Sequence, residues 1–239
     1  MGLYFGNLIL EVTRKCNMSC PHCLRGPAQR IDMAPEIINE VTTATDWIAS
    51  LSISGGEPSL GGKAIDHLRW AMYFYKCRLD SFWLTVNARF FKQDFYKALW
   101  NLYGVCEEQD ECCLTISGDQ YHSKPSGNAL RQYSELPFFS DEWMGNIDDH
   151  LLLNEGKAKK NQMGYREVNI PIRITDYDLN EDRLYVGDTI YINAVGDVLL
   201  SCDLSYLHQK KHSLGNVLRE PLQDILLRNL EPERSAAPA

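Results

Sequence analysis

Three cysteines, Cys16, Cys20 and Cys23, stand in the run CNMSCPHC with the spacing C-x3-C-x2-C. Three thiolates on one short loop can hold three irons of a [4Fe–4S] cluster and leave the fourth iron without a protein ligand. Such clusters are ordinarily held by four cysteines. The missing ligand is then an opening for a substrate or cofactor, as catalytic metal sites keep one position free. The same thiols, completed by His22 or Cys202, could instead hold a structural zinc ion. The other cysteines are scattered, at 77, 106, 112, 113 and 202 of 239 residues. A tight trio plus singles in a chain this long predicts reduced thiols and a metal site rather than a disulfide framework.

The elements that must position the trio alternate along the chain. An apolar strand, Leu8–Thr13, precedes it. A helix is expected over Pro35–Ile48, a strand over Leu51–Ser54 and a helix over Lys63–Tyr75. A strand at Ser81–Val86 follows, then a helix carrying the stripe Phe91, Phe95, Leu99 and Leu102. Next come a strand at Cys113–Ser117, a weaker helix at Ser126–Leu136 and a short fifth strand at His150–Leu153. Strands separated by helices imply βαβ units and a parallel sheet. The expectation is an α/β fold, a partial TIM-like (β/α) barrel of about five or six strands. The unusual polar residues each follow a strand: the cysteines, Gly55-Gly56-Glu57-Pro58, Asn87, Ser117-Gly-Asp119 and Glu155-Gly156-Lys157. Parallel strands would bring them to one face, the face where α/β folds carry their sites.

Past residue 165 the pattern changes. Arg166–Ile174 alternates, Thr189–Asn193 and Val198–Ser201 read as a hairpin, Gly215-Asn216 as a turn, and Pro221–Leu230 as a last helix. The expected division is a core at 1–165, a closing segment at 166–232 and a disordered tail at 233–239.

The cysteine trio, joined to Gly55-Gly56-Glu57-Pro58 after the second strand, resembles the radical S-adenosylmethionine superfamily, in the form of a small single-cluster member. The resemblance covers roughly residues 6–160. It implies that Cys16, Cys20 and Cys23 ligate one [4Fe–4S] cluster whose free iron chelates S-adenosylmethionine. Reductive cleavage of that molecule would yield a 5′-deoxyadenosyl radical, which takes a hydrogen atom from a substrate; the cofactors supply the hard chemistry. By the same resemblance Gly55, Gly56 and Glu57 meet the ligand's ammonium group. The glycines would let the backbone approach closely, and a carboxylate can accept from a cation. His22 occupies the place of the family's usual aromatic residue near the adenine. Asn87 and Ser117 fall where ribose contacts are made. Lys157 stands for an arginine that meets the ligand carboxylate, without the bidentate fork.

Three residues remain open on the sequence alone. Asp119 is a substrate contact or a loop cap. His122 is a helix-entry group or one that supports the site residues from behind, in preference to a direct catalytic role. Cys202 is a buried structural cysteine or a hydrogen-atom donor to a substrate radical. As the only cysteine after Cys113, it cannot complete an auxiliary cluster.

Lys plus Arg number 24 against 32 Asp plus Glu, a net charge of −8. That balance argues against a broad grip on nucleic acid. The basic runs KAKK and QKKH read as solvated patches. No apolar run approaches the ~20 residues that span a bilayer. No leader-like segment or myristoylation signal is seen, so a cytoplasmic protein is expected. The chemistry would need an external one-electron reductant of flavodoxin or ferredoxin type. The substrate classes are a small molecule, a nucleotide or modified base as in phage-type DNA hypermodification, and a peptide. Rearrangement, oxidation and coupling all start from the same abstraction. The alternative function is a zinc- or cluster-binding module without radical catalysis.

Overall fold

β1 (Gly2–Thr13) is buried at every residue from Leu8 to Thr13, which accounts for its unbroken apolar run. A computed structural model describes residues 1–142 and 145–232, and the tail expected at 233–239 lies outside them. α1 (Pro35–Ala44) leads directly into β2 (Thr45–Gly55), and α2 (Gly62–Tyr75) into β3 (Arg78–Val86). α3 (Gln93–Tyr103) precedes β4 (Cys113–Ile116), which is followed by α4 (Gly127–Tyr133) and α5 (Gly156–Lys160). β1 to β4 form a parallel sheet in sequence order. The fold is therefore mixed α/β, with an open and mostly parallel sheet, a partial barrel as expected.

The second half of the chain completes β1 from its other side. It comprises β5 (Tyr177–Leu179), β6 (Arg183–Val186), β7 (Ile190–Ile192), β8 (Asp197–Leu199), α6 (Tyr206–Gln209), β9 (Gly215–Asn216) and α7 (Leu222–Arg228). β6 pairs with Gly2–Phe5 and β7 with Leu8–Leu10, both parallel to β1. Leu10 thus lies between Ile53 and Ile192. The expected hairpin is present as β7 and β8. Its turn is closed by Asn193 Oδ1, which accepts from Val195 N and Asp197 N, with Gly196 at φ +89°. That left-handed backbone favours glycine.

Four local expectations are corrected. The first helix ends at Ala44 rather than Ile48. The hydroxyls of Thr42 and Thr45 bond back to Ile38 O and Val41 O. The β-branched residues there favour extension, and Trp47 and Ile48 pair with Arg78 and Leu79 as strand. The fifth strand at His150–Leu153 does not form. Asp149–Leu151 is a 3-10 turn started by Asp148 Oδ1 accepting from His150 N, and Leu153 makes only a single bridge to Arg166. The edge of β4 is already taken: Leu114 N donates to Phe138 O, and Ser140 N to Leu114 O. Gly215-Asn216, expected as a turn, pairs with β8 as β9. The alternating stretch 166–174 makes only the bridges Leu153–Arg166 and Ile174–Leu230.

One large core lies between the sheet and the helices. Leu3, Phe5, Leu8, Leu10, Ile37 and Leu51 are each at most 1% exposed. Full burial of such a side chain is worth about 1.5–3 kcal/mol, which fixes the strand ends as a rigid platform. Among the described residues no helix is long and apolar enough to cross a membrane.

Candidate active site

The loop after β1 carries the three cysteines, and main-chain bonds close its neck. Arg14 N donates to Ile31 O at 2.8 Å and Met33 N to Val12 O at 3.0 Å. The turn after β2 then docks on the loop's first residues. Gly56 N donates to Thr13 O and Glu57 N to Lys15 O, both at 2.8 Å. A Cβ at Gly56 would lie 2.4 Å from Lys15 O, and one at Gly55 would lie 2.6 Å from Thr13 O. Both glycines are therefore required where two stretches of this chain's own backbone touch. Glu57 is 2% exposed. Its carboxylate accepts from Ser59 N at 3.2 Å and from Asn87 N at 2.9 Å. Asn87 Nδ2 in turn donates to Asn17 Oδ1 at 2.7 Å. Glu57 and Asn87 thus tie the ends of β2 and β3 to the cysteine loop.

α5 clamps the loop from outside. Lys157 N donates to Cys23 O, Lys157 Nζ to Ser19 Oγ and Asn161 Nδ2 to Pro21 O, each at 2.8 Å. Gly156 stands at φ +55°, and a Cβ there would sit 2.1 Å from Leu24 O.

The three thiols are half-buried and unbridged, and they open on a cavity of about 490 Å³. That cavity gathers Gly55, Gly56, Glu57, Asn87 and Ser117 at the C-terminal ends of the parallel strands, together with His22, Cys202 and, from α5 rather than from the end of a fifth strand, Lys157. Asp119 is not in its wall but bonds His122, which is. Burial raises the Cys16 thiol, and burial together with Cys23 and Cys16 pushes Cys20 up to about 11. Crowded, desolvated thiols resist ionisation until a cation joins them.

The donor set can be tested against its two occupants. Tetrahedral zinc at a Zn–S distance of ~2.3 Å sets sulfurs about 3.8 Å apart. Among the described residues the group of ligand atoms within 4.8 Å of one another is His22, Asp119 and His122. A cubane cluster attaches each thiolate to a different iron, so it does not need the three thiols to meet at one atom. His22 Nδ1 is buried without a hydrogen-bond partner, an orphan that a ligand in the cavity would satisfy.

The opposite wall comes from the second half of the chain, and sequence reasoning missed how it is fastened. Glu11 is fully buried and pairs with Arg14 at 3.2 Å. Glu11 Oε2 also accepts from Ala194 N at 3.0 Å. Arg14 Nη2 donates to Gln209 Oε1 at 2.6 Å, and its guanidinium lies 4.6 Å from the centre of the Tyr206 ring. Arg25, two residues past Cys23, donates to the carbonyls of Cys202 and Leu204. Glu155, at the start of α5, accepts from Ser205 N at 3.3 Å and pairs with His208 Nδ1 at 2.9 Å. Burial opposes its ionisation, yet the bonds from Ser205 and His208 hold it below the usual carboxylate range. Arg25, Tyr206 and Trp83 all line the cavity. No spacing or motif marks them in the sequence.

No family model matches the chain, and no curated protein matches it significantly. Solved structures do. "Native anSMEcpe with bound AdoMet and Cp18Cys peptide" aligns over 94% of this chain and 80% of that one, with a TM-score of 0.52 and 12% identity. Streptococcus suis SuiB bound to precursor peptide SuiA aligns over 95% of this chain and 65% of that one, with a TM-score of 0.48 and 15% identity. The chain therefore spans just under two thirds of SuiB. The match to anSMEcpe shows that the two share a fold.

Proposed function

We propose that this chain, folded as radical S-adenosylmethionine enzymes are, is itself such an enzyme and holds one [4Fe–4S] cluster on Cys16, Cys20 and Cys23. The observation that carries the reading is the meeting of the three thiols and the Gly55-Gly56 turn in one cavity at the strand ends. When bound, the cluster and S-adenosylmethionine would supply reductive cleavage of the sulfonium and the hydrogen abstraction that follows.

The protein's part is to bind, orient and keep dry. The thiolates anchor one corner, and the backbone seat at Gly55 and Gly56 fixes that corner against β2. Ser117 and Asn87, at the ends of β4 and β3, would meet the ribose. Lys157, already bonded to Ser19, would set a positive charge at the cavity edge for the ligand carboxylate. His22 would meet the adenine. The apolar walls from Ile9, Trp83, Leu152 and Tyr206 exclude water, which strengthens each polar contact inside. Cys202, whose Sγ lies 3.7 Å from Asp203 Oδ1, reaches this cavity from the far wall and is the thiol positioned to return a hydrogen atom. An external reductant of flavodoxin or ferredoxin type completes the system. A peptide is the first substrate class to test, because the anSMEcpe structure contains one. Small molecules and nucleotides are the other arms of the same screen.

The test is anaerobic reconstitution with iron and sulfide. We expect broad iron–sulfur absorption, and 5′-deoxyadenosine on addition of S-adenosylmethionine and dithionite, both lost in Cys20→Ala. A protein that retains zinc and shows neither signal would be a zinc module instead.

A further inference from the structure

We propose that His122 is a proton-transfer residue on the substrate side of the cavity, with Asp119 as its positioning residue. The inference rests on the radical-enzyme reading and adds a substrate class to it. Asp119 follows β4 and is nearly enclosed, its side chain 10% exposed. Its Oδ1 accepts from Tyr121 N at 2.9 Å and from His122 N at 3.1 Å. Its Oδ2 lies 2.7 Å from His122 Nδ1. Burial works against its charge, but the bonds from His122 and Tyr121 prevail and hold it below the usual carboxylate range.

An ionised carboxylate can only accept. His122 Nδ1 therefore carries the proton, and the lone pair is on Nε2. That nitrogen makes no hydrogen bond among the described residues, while the residue itself lines the cavity. The imidazole is held edge-on to His22 at 4.9 Å, and Tyr121 packs on His22 at 4.8 Å. A cation seat on His22, Asp119 and His122 is the competing reading. Asp119 already accepts from three N–H groups, which orients the imidazole for proton transfer at Nε2; zinc bound by these three side chains would overturn that role.

The step assigned to His122 moves one proton and no electron. A substrate O–H or N–H bond breaks, an N–H bond forms at Nε2, and Asp119 balances the resulting imidazolium. The substrate class is one whose reacting carbon bears a hydroxyl, amine or amide N–H.

The test uses the full chain with two probes, diethyl pyrocarbonate and S-adenosylmethionine. In Asp119→Asn the amide oxygen keeps the two backbone donors, and the NH2 turns to His122 Nδ1, reversing the tautomer. Histidine-labelled protein should show Nδ1–H at His122 in 15N spectra of the natural chain and Nε2–H in the variant. Carbethoxylation of His122, read by peptide mass spectrometry, should slow about tenfold or more in Asp119→Asn, while exposed His150 keeps its rate. In cluster-loaded protein, His122 should stay reactive when S-adenosylmethionine is bound, since its Nε2 faces the substrate side. The same tautomer or equal His122 rates in both proteins overturns the assignment. So does loss of His122 reactivity when S-adenosylmethionine is bound. Failure to load a cluster sinks the radical reading alone, because the first two measurements need none.

Discussion

The two walls of the cavity are built on different principles. The N-terminal wall, the cysteine loop on the ends of β1 and β2, is fastened first by main-chain bonds and by glycines where backbones touch, with side-chain ties from Asn87, Lys157 and Asn161 around them. The C-terminal wall, from β7 to α6, is fastened by the buried side chains Glu11, Arg14, Gln209 and Glu155 and by the half-buried Arg25. A wall made of backbone tolerates most side-chain changes and fails where a Cβ cannot fit. A wall made of buried polar partners fails when any one of them leaves its neighbour unpaired.

The largest expected effect is therefore on the side-chain wall. Arg14→Ala leaves the fully buried Glu11 without its counter-ion and should cost about 3–5 kcal/mol. Urea denaturation measures the loss, and limited proteolysis should cut first near α6. Resistance equal to the natural chain would show that the network is not what holds this wall. Gly56→Ala, which forces a Cβ to 2.4 Å from Lys15 O, should cost about 2–3 kcal/mol. Its signature is a loosened cysteine loop, seen as faster amide exchange at Lys15–Cys23, with α6 unchanged. Exchange spreading equally to α6 would mean that the walls are one unit.

Glu155→Gln should cost about 1–2 kcal/mol and should flatten the acid limb of the stability curve. The sign follows from its lowered carboxylate. The stabilisation is complete above the unfolded-state range and is lost as the pH falls through the lower folded-state value. A variant whose acid limb is as steep as the natural chain's would remove Glu155 from that role. The smallest effect belongs to Ser126, whose hydroxyl caps α4 by accepting from Ala129 N at 3.0 Å. Ser126→Ala should cost about 1 kcal/mol, readable in thermal melts, and leave both walls intact.

The same contrast explains what the sequence discloses. Cys16, Cys20, Cys23, Gly55 and Gly56 are legible because close backbone contact restricts the glycines and the proposed metal ligation would restrict the cysteines, each at fixed spacing. β1, α2, β3 and α3 are legible because each buries one continuous stripe. The role of Gly55 and Gly56 is only half legible: the sequence implies close approach to a ligand, and the structure shows close approach to Thr13 and Lys15. Glu11, Arg14 and Gln209 are unremarkable as residues. Their partners lie up to 195 positions away, beyond any periodic signal. The fifth strand misleads because three leucines after Asp148-Asp149 look extended locally, while tertiary contacts give the β4 edge to Phe138–Ser140.

The double edge of β1 also bears on how the chain is made. Its far side waits for β7, and Asn7 reaches Thr189 across 182 positions. At ribosomal rates of ~5–20 residues per second, that edge stays unpaired for on the order of ten seconds or more. During that interval the nascent N-terminal half offers an apolar strand to any passing chain. The cysteine loop can close its neck before then, because its main-chain partners lie within residues 12–33. Closure of the cysteine loop first, and pairing of the far edge of β1 last, is the order of events this topology favours.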